Sequence, residues 1–227
     1  EELLRTYAHP DLLKVAEAIN GEDFVPFTEA LFIKEPGVGA SVAWHRDGTT
    51  HWDSPDFDEG THGFNFMAQL YGCTSANGVW VVPGSHRERY VDIADMVTRA
   101  GSERIEEAIP MICNPGDVVI SNRQAVHGSF ANTSSDWRIT INQGFHRRKS
   151  VLGVKGGGLH GKPAVYDAER IIERSKIIKL AIEARKQRFP EEQAFEYKPL
   201  SASTENFTWN AAARKRLHDY NLLDLSI

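Results

Sequence analysis

NPGDVVISNRQAVHGSFANTSSDWRITI, residues 114–141, alternates short apolar runs with turn-forming residues. Asn114-Pro115-Gly116-Asp117 is a turn, because proline presets one corner and glycine tolerates the other. Val118 to Ser121 leaves it as a strand, paired with Ile109 to Cys113 ahead of it. Val126 to Phe130 follows, then a polar turn at Asn132 to Asp136. Trp137 to Phe145 returns with apolar and polar residues alternating, the period of a half-buried strand. Many short strands with Pro-Gly and Asn-Gly turns argue a β-sandwich or barrel.

Outward from this stretch, Phe24 to Lys34, Ser41 to Asp47, Phe64 to Tyr71 and Val79 to Val82 read as further strands, with turns at Glu35 to Gly39 and at Asn77-Gly78. On Phe64 to Tyr71, the face with Phe64, Phe66, Ala68 and Leu70 is core. The face with Asn65, Met67, Gln69 and Tyr71 either looks into a polar pocket or is half-solvated. Helices are expected over Glu2 to Asn20, with a break or second start at Pro10, and over Val91 to Gly101. A third, Asp167 to Phe189, carries an apolar stripe of Ile171, Ile172, Ser175, Ile178, Ile182 and Arg185. Gly153 to Gly161 is a glycine-rich connector. The tail from Pro190 holds Trp209, a short helical stretch and an apolar end. Such an end docks on its own domain or on a second subunit, so a homodimer through the C-terminal helix and tail is a possible assembly. The expectation is a mainly β chain forming one domain over residues 1–227, with a core of about 24–150 and a helical extension of about 163–227.

The chain has 227 residues, 41% of them apolar and 25% charged, the composition of an ordinary globular domain. A net charge of -5 argues against nucleic acid or an anionic membrane as the main partner. No apolar run approaches the roughly 20 residues of a membrane span. Cys73 and Cys113 are read as reduced thiols, and the protein as cytoplasmic. The sequence opens Glu1-Glu2 without a methionine; it is expected to start inside a longer gene product.

The chemistry-bearing stretch is Trp44-His45-Arg46-Asp47-Gly48. On a strand, His45 and Asp47 share a face. A second histidine brought in by folding completes two imidazoles and one carboxylate, the set that binds one face of a divalent metal in non-haem Fe(II) oxygenases. His127 is the candidate. Arg138 lies 11 residues beyond His127, across the turn at Asn132 to Asp136, which brings it back beside His127 or facing it. A guanidinium has no lone pair to give a metal. It would repel the cation unless an anion intervened. A dicarboxylate chelating the metal at one end and pairing with Arg138 at the other resolves this, and Ser129 adds a hydroxyl to the same anion. Taken alone, a lone His-x-Asp is a solvated loop and Arg138 a surface ion pair with Asp136. His86, after a Pro-Gly turn, has a surface or capping role.

WHRD, NGVWVVPGSH, NPGDVVISNRQAVHGSFANTSSDWRITI and FIKEPGVGA together resemble the phytanoyl-CoA dioxygenase family of Fe(II)/2-oxoglutarate oxygenases, over roughly Phe24 to Phe145. The resemblance implies a double-stranded β-helix, a jelly-roll or cupin-like sandwich with flanking N- and C-terminal helices. It places the metal ligands on His45, Asp47 and His127, the 2-oxoglutarate arginine on Arg138 and a cosubstrate-binding serine on Ser129. Asn65, Met67 and Gln69 are offered as further cosubstrate contacts, with Asn65 and Gln69 carried forward because some members have a tryptophan near Met67. The implied cofactors are Fe(II), 2-oxoglutarate and O2. The implied reaction oxidises an unactivated C–H bond of a small molecule and releases succinate and CO2. Asp47 argues for hydroxylation or a related oxidation over halogenation, which needs an open position for chloride and usually gains it by losing this carboxylate. The segment before WHRD is shorter than is usual in the family.

Gly48 to His62 is a long aperiodic loop with Trp52 and Phe57, read as a substrate wall or as a plug onto the core. Arg46, His51, Trp52, Arg123, His146 and Arg147 are candidates for a basic rim, with solvated surface as the competing role. Two other classes stand beside the oxygenase: a non-catalytic metal-binding jelly-roll module, and a cupin-like isomerase or hydrolase indifferent to 2-oxoglutarate.

Overall fold

The computed structural model describes residues 1–47, 63–156 and 164–218. The expected lid at Gly48 to His62, most of the glycine-rich connector and the apolar end of the tail lie outside them. The chain divides into two compact units, one of Glu1–Thr28 with Phe145–Ile227, the other Glu29–Gly144.

In the second unit the strands are β1 (Val25–Lys34, which begins in the first unit), β2 (Val42–His45), β3 (Phe64–Gln69), β4 (Trp80–Val81), β5 (Ile109–Pro110), β6 (Val118–Asn122), β7 (His127–Ser129) and β8 (Arg138–His146). They form two four-stranded sheets, ordered β1-β8-β3-β6 and β2-β7-β4-β5. β2 pairs antiparallel with β7, β3 with β6, β4 with β5 and β4 with β7. Neighbours in each sheet are distant in sequence, which is the interleaving expected of a double-stranded β-helix. A short helix, α3 (Ile93–Ala100), is started by Asp92, whose side chain accepts from the Asp95 amide, and stopped by Gly101 at φ 62. Its apolar side meets a core of Val82, Ile105, Ala108 and Val126.

β3 ends one turn sooner than its hydrophobic pattern suggests. Gly72 has φ 78, and a Cβ there would lie 2.7 Å from the Cys113 carbonyl oxygen. The chain turns away at that point, so Leu70, expected in the core, is 50% exposed. Beyond the turn, Cys73 and Cys113 exchange both backbone hydrogen bonds and remain free thiols, with Sγ atoms 3.4 Å apart. Burial, then the neighbouring Cys73, push the Cys113 thiol up to about 12.

The first unit is built on helices and aromatics. α1 (Glu2–Tyr7) and α2 (Pro10–Asn20) replace the single interrupted helix, with His9 capping the second and Pro10 in its first turn. A four-residue helix, α4 (Arg148–Val151), and a hairpin of β9 (Lys155–Gly156) and β10 (Ala164–Val165) follow β8. The sequence reading missed both, because short glycine-flanked segments carry no period. α5 (Ala168–Arg188) is capped by Asp167. Its buried side includes Ile171, Arg174, Ser175, Ile178 and Ile182, but Ile172, assigned to the stripe, is 45% exposed. α6 (Ala211–His218) is the short helix expected near the end. Phe145 sits 5.1 Å from Tyr7 and 5.6 Å from Phe24 between ring centroids, and Phe24 sits 5.2 Å from Tyr197. Among the described residues, no helix is long and apolar enough to cross a membrane.

Candidate metal centre

β2 and β7 carry the histidines. In their antiparallel register His45 stands opposite His127 and Val42 opposite Ser129, so β2 holds one extra residue between them. A bulge of this kind bends its strand and re-aims the side chains beside it. The imidazole centroids are 4.3 Å apart. The close approach also depends on Gly128, where a Cβ would lie 3.0 Å from the Val42 carbonyl oxygen and 3.3 Å from the Trp44 ring. A larger residue between His127 and Ser129 would push β2 away.

Each histidine has the carbonyl two residues earlier as its Nδ1 partner: Ala43 for His45 at 2.8 Å, Ala125 for His127 at 2.9 Å. A carbonyl only accepts, so Nδ1 carries a proton, and Nε2 is the nitrogen whose lone pair is available to a metal once the ring is neutral. Both Nε2 atoms face Asp47, at 3.3 Å from Oδ1 for His45 and 3.7 Å from Oδ2 for His127. One ligand atom from each of the three residues lies within 4.8 Å of the others, and this is the one such group among the described residues. The donor set of two borderline nitrogens and one hard oxygen suits a divalent first-row metal.

Asp47 is tied down on every side. Its amide donates to the Arg123 carbonyl at 3.1 Å, its Oδ2 accepts from Asn65 Nδ2 at 2.7 Å, and the Arg123 Nε lies 3.5 Å from the same oxygen. Burial alone would push this carboxyl up. The hydrogen bond with His45, the Arg123 cation, His127 and Asn65 together hold it well below the usual carboxylate range. The bond to Asp47 raises His45, whereas burial lowers His127. The carboxylate is therefore ionised and the His127 ring is biased to neutral, the states in which they donate to a metal.

A second cluster lies at the other end of β7. Ser129 Oγ accepts from Lys34 Nζ at 2.9 Å, and the Phe130 carbonyl accepts from the same ammonium at 2.5 Å. Arg138 donates from Nη1 to the Asn77 carbonyl and from Nε to Thr140 Oγ1, each at 3.2 Å. Lys34 is 6% exposed and Arg138 4%. Neither forms an ion pair among the described residues. Burial, and then the Arg138 charge, lower Lys34 to about 8, and burial lowers Arg138. Two buried cations sharing one site without a carboxylate is costly, and an anion relieves it. Sequence reasoning missed Lys34. The available signal was a lysine closing an apolar strand directly before Glu35-Pro36-Gly37, inside the FIKEPGVGA run.

The other sequence candidates divide. Gln69 Oε1 accepts from Thr140 Oγ1 at 2.7 Å, which reaches Arg138 through one hydroxyl, and Asn65 holds Asp47. The Asn65 and Gln69 face is therefore buried and polar, the first of the two alternatives. Arg46 is no rim residue. Its guanidinium donates to the carbonyls of Gln124, Arg89, Ser85 and Glu88. His146 is not a rim residue either: it is fully buried, with its ring centroid 4.3 Å from that of Phe27. Arg123 faces Asp47, and Arg147 Nε lies 3.4 Å from Ser150 Oγ. His51, Trp52 and Phe57 lie outside the described residues. His86 sits in a 3-10 turn, Ser85–Arg87, apart from the triad.

Residues 1–140 match the family model of phytanoyl-CoA dioxygenase, PhyH. The chain is 30% identical over 144 residues to the dioxygenase lolE1 of Epichloe uncinata, a match covering 63% of this chain and 50% of that protein. The chain thus spans about half the length of that relative. The crystal structure of EvdMO1 is similar at a TM-score of 0.51 and 32% identity, over 62% of this chain and 31% of that one. EctD from S. alaskensis, crystallised with 2-oxoglutarate and 5-hydroxyectoine, shares the fold at a TM-score of 0.54 and 22% identity, over 66% of this chain and 54% of that one. The chain belongs to the phytanoyl-CoA dioxygenase family.

Proposed function

We propose that this phytanoyl-CoA dioxygenase family member is a non-haem Fe(II)/2-oxoglutarate-dependent dioxygenase that hydroxylates an unactivated C–H bond of a small molecule, releasing succinate and CO2. One observation carries the reading. The single strand β7 presents His127 to a metal-ligand triad and Ser129 to Lys34, a buried cation that feels the buried charge of Arg138 and has no carboxylate partner among the described residues. A metal chelator with a second carboxylate is the ligand that satisfies both ends.

In this reading His45, Asp47 and His127 hold ferrous iron through Nε2, a carboxylate oxygen and Nε2. When bound, the metal and cosubstrate supply the oxidation by O2, which no side chain can perform. The chain's own residues orient and exclude. Arg138 and Lys34 grip the far carboxylate of 2-oxoglutarate, and Ser129 fixes the Lys34 ammonium. Gln69 and Thr140 keep the guanidinium from swinging. Asn65 holds Asp47 in its charged, metal-facing pose. We take both compact units as parts of one oxygenase domain.

The test is anaerobic addition of Fe(II) and 2-oxoglutarate to the chain. A coloured chelate, followed by succinate release when O2 is admitted, is the expected result. Arg138→Met should weaken 2-oxoglutarate binding by about 2–5 kcal/mol and leave metal affinity unchanged. A colourless protein that takes up metal but ignores 2-oxoglutarate would sink the reading.

A further inference from the structure

Asn142 belongs to neither the triad nor the anion end. It lies on β8 in line with Arg138 and Thr140, since alternate strand residues share a face, and it is 7% exposed. Its Nδ2 donates to Asn65 Oδ1 at 3.3 Å, and Asn65 Nδ2 donates to Asp47 Oδ2 at 2.7 Å.

The chemistry gives this chain of bonds a direction. An ionised carboxylate can only accept, so Asn65 must turn its NH2 group toward Asp47 and its carbonyl away. Only a donor can meet that carbonyl, and Asn142 supplies it. In doing so Asn142 leaves its own Oδ1 buried with no partner. An unpaired buried amide oxygen costs free energy that an apolar side chain of similar size would not. An apolar residue here would remove that oxygen but leave the Asn65 carbonyl unpaired in its place, so the fold gains little net from asparagine, and its orienting action on Asn65 is what remains.

We propose that Asn142 is a positioning residue for Asp47, acting through Asn65. The proposal rests on the reading of His45, Asp47 and His127 as metal ligands. A carboxylate rotates easily about its last torsion, which has no sharp staggered wells, and Arg123 pulls on the same oxygen from another side. Asn65 fixes that rotation only while its amide keeps its orientation. Without a donor at position 142, the Asn65 carbonyl loses its anchor, the amide is free to swing away from Asp47, and the ligand loses its pose.

The experiment compares the wild-type chain with Asn142→Leu, Asn142→Ser and Asn65→Leu. The readouts are melting temperature without metal and the dissociation constant for Mn(II), an oxygen-insensitive probe, without cosubstrate. Asn142→Leu exchanges one unpaired buried oxygen for another, so it should melt close to wild type, and it should bind Mn(II) about 10–100-fold more weakly, the usual loss when a ligand's supporting partner is removed. Asn142→Ser keeps a donor and should recover most of that affinity. Adding Asn142→Leu to Asn65→Leu should cause no further loss, because the two act in series. Should the leucine variant fail to fold, Asn142→Ala carries the same comparison. The proposal is overturned if Asn142→Leu or its alanine substitute binds Mn(II) as wild type does while Asn65→Leu does not. It is also overturned if affinity falls only in step with a lowered melting temperature that serine fails to restore. A wild-type chain that binds no Mn(II) would refute the ligand assignment itself, and the proposal with it.

Discussion

The two compact units differ in what fills their interiors, aromatic rings dominating the first although it also buries Arg174 and His146. In the first unit Phe24 meets Phe145 and Tyr197 edge to face, Tyr7 lies tilted against Phe145, and Phe27 and Tyr166 lie 5.1 Å apart by centroid. The second unit buries Lys34, Asn65, Gln69, Arg123, Arg138, Thr140 and Asn142. Aromatic burial is strongly favourable and non-directional. Buried cations and amides are costly unless each finds a partner. The first interior is what a chain selected for stability builds. The second makes sense only with ligands of defined charge and geometry, so the difference separates residues kept for the fold from residues kept for the site.

The sharpest way to break this contrast is at the triad. Asp47→Gly should abolish metal uptake and turnover while the chain still folds, as read by metal titration and circular dichroism; full activity in that variant would refute the ligand assignment. Next in size, Phe145→Ala should cost about 3–5 kcal/mol in denaturant unfolding. If it left stability intact, the first unit would not be the anchor described.

A smaller effect concerns Lys34, held near 8 by burial and by Arg138. Below that value the ammonium is charged and can pair with an anion. As pH rises through it the charge is lost, so 2-oxoglutarate affinity should fall by up to about ten-fold per pH unit. Lys34→Arg should flatten the profile. The same shift runs the other way for the ligand-free fold. There the folded chain holds this proton less tightly than the unfolded chain, so stability climbs from about 8 toward the ordinary lysine value. Opposite slopes with and without 2-oxoglutarate, measured by thermal unfolding, would tie the cation pair to the cosubstrate. The smallest effect is at the surface: Leu70→Ser should change stability by less than about 0.5 kcal/mol, despite its place in an apolar run.

The triad was legible because alternation along an expected strand puts His45 and Asp47 on one face and Arg138 stands one turn beyond the second histidine; in the structure β2 ends at His45 and Asp47 lies two residues past it. The jelly roll was legible because turn residues punctuate nearly every strand. Leu70 and Ile172 were misread because periodicity does not say where an element ends or how wide its buried face is. Gly72 ends β3 first, and α5 buries Arg174, whose Nη2 donates to the Phe27 carbonyl at 2.8 Å, instead of Ile172. Lys34 and Asn142 were invisible for another reason: polar residues in a strand normally mark the solvent face, and here they mark the interior.

The amide of Asp47 donates to the Arg123 carbonyl, which moors the last ligand of the triad by its own backbone. Whatever sequence departs at Gly48 starts from a fixed post. A scaffold moored there can take changes of length or composition in the segment that follows while its candidate metal ligands keep their places.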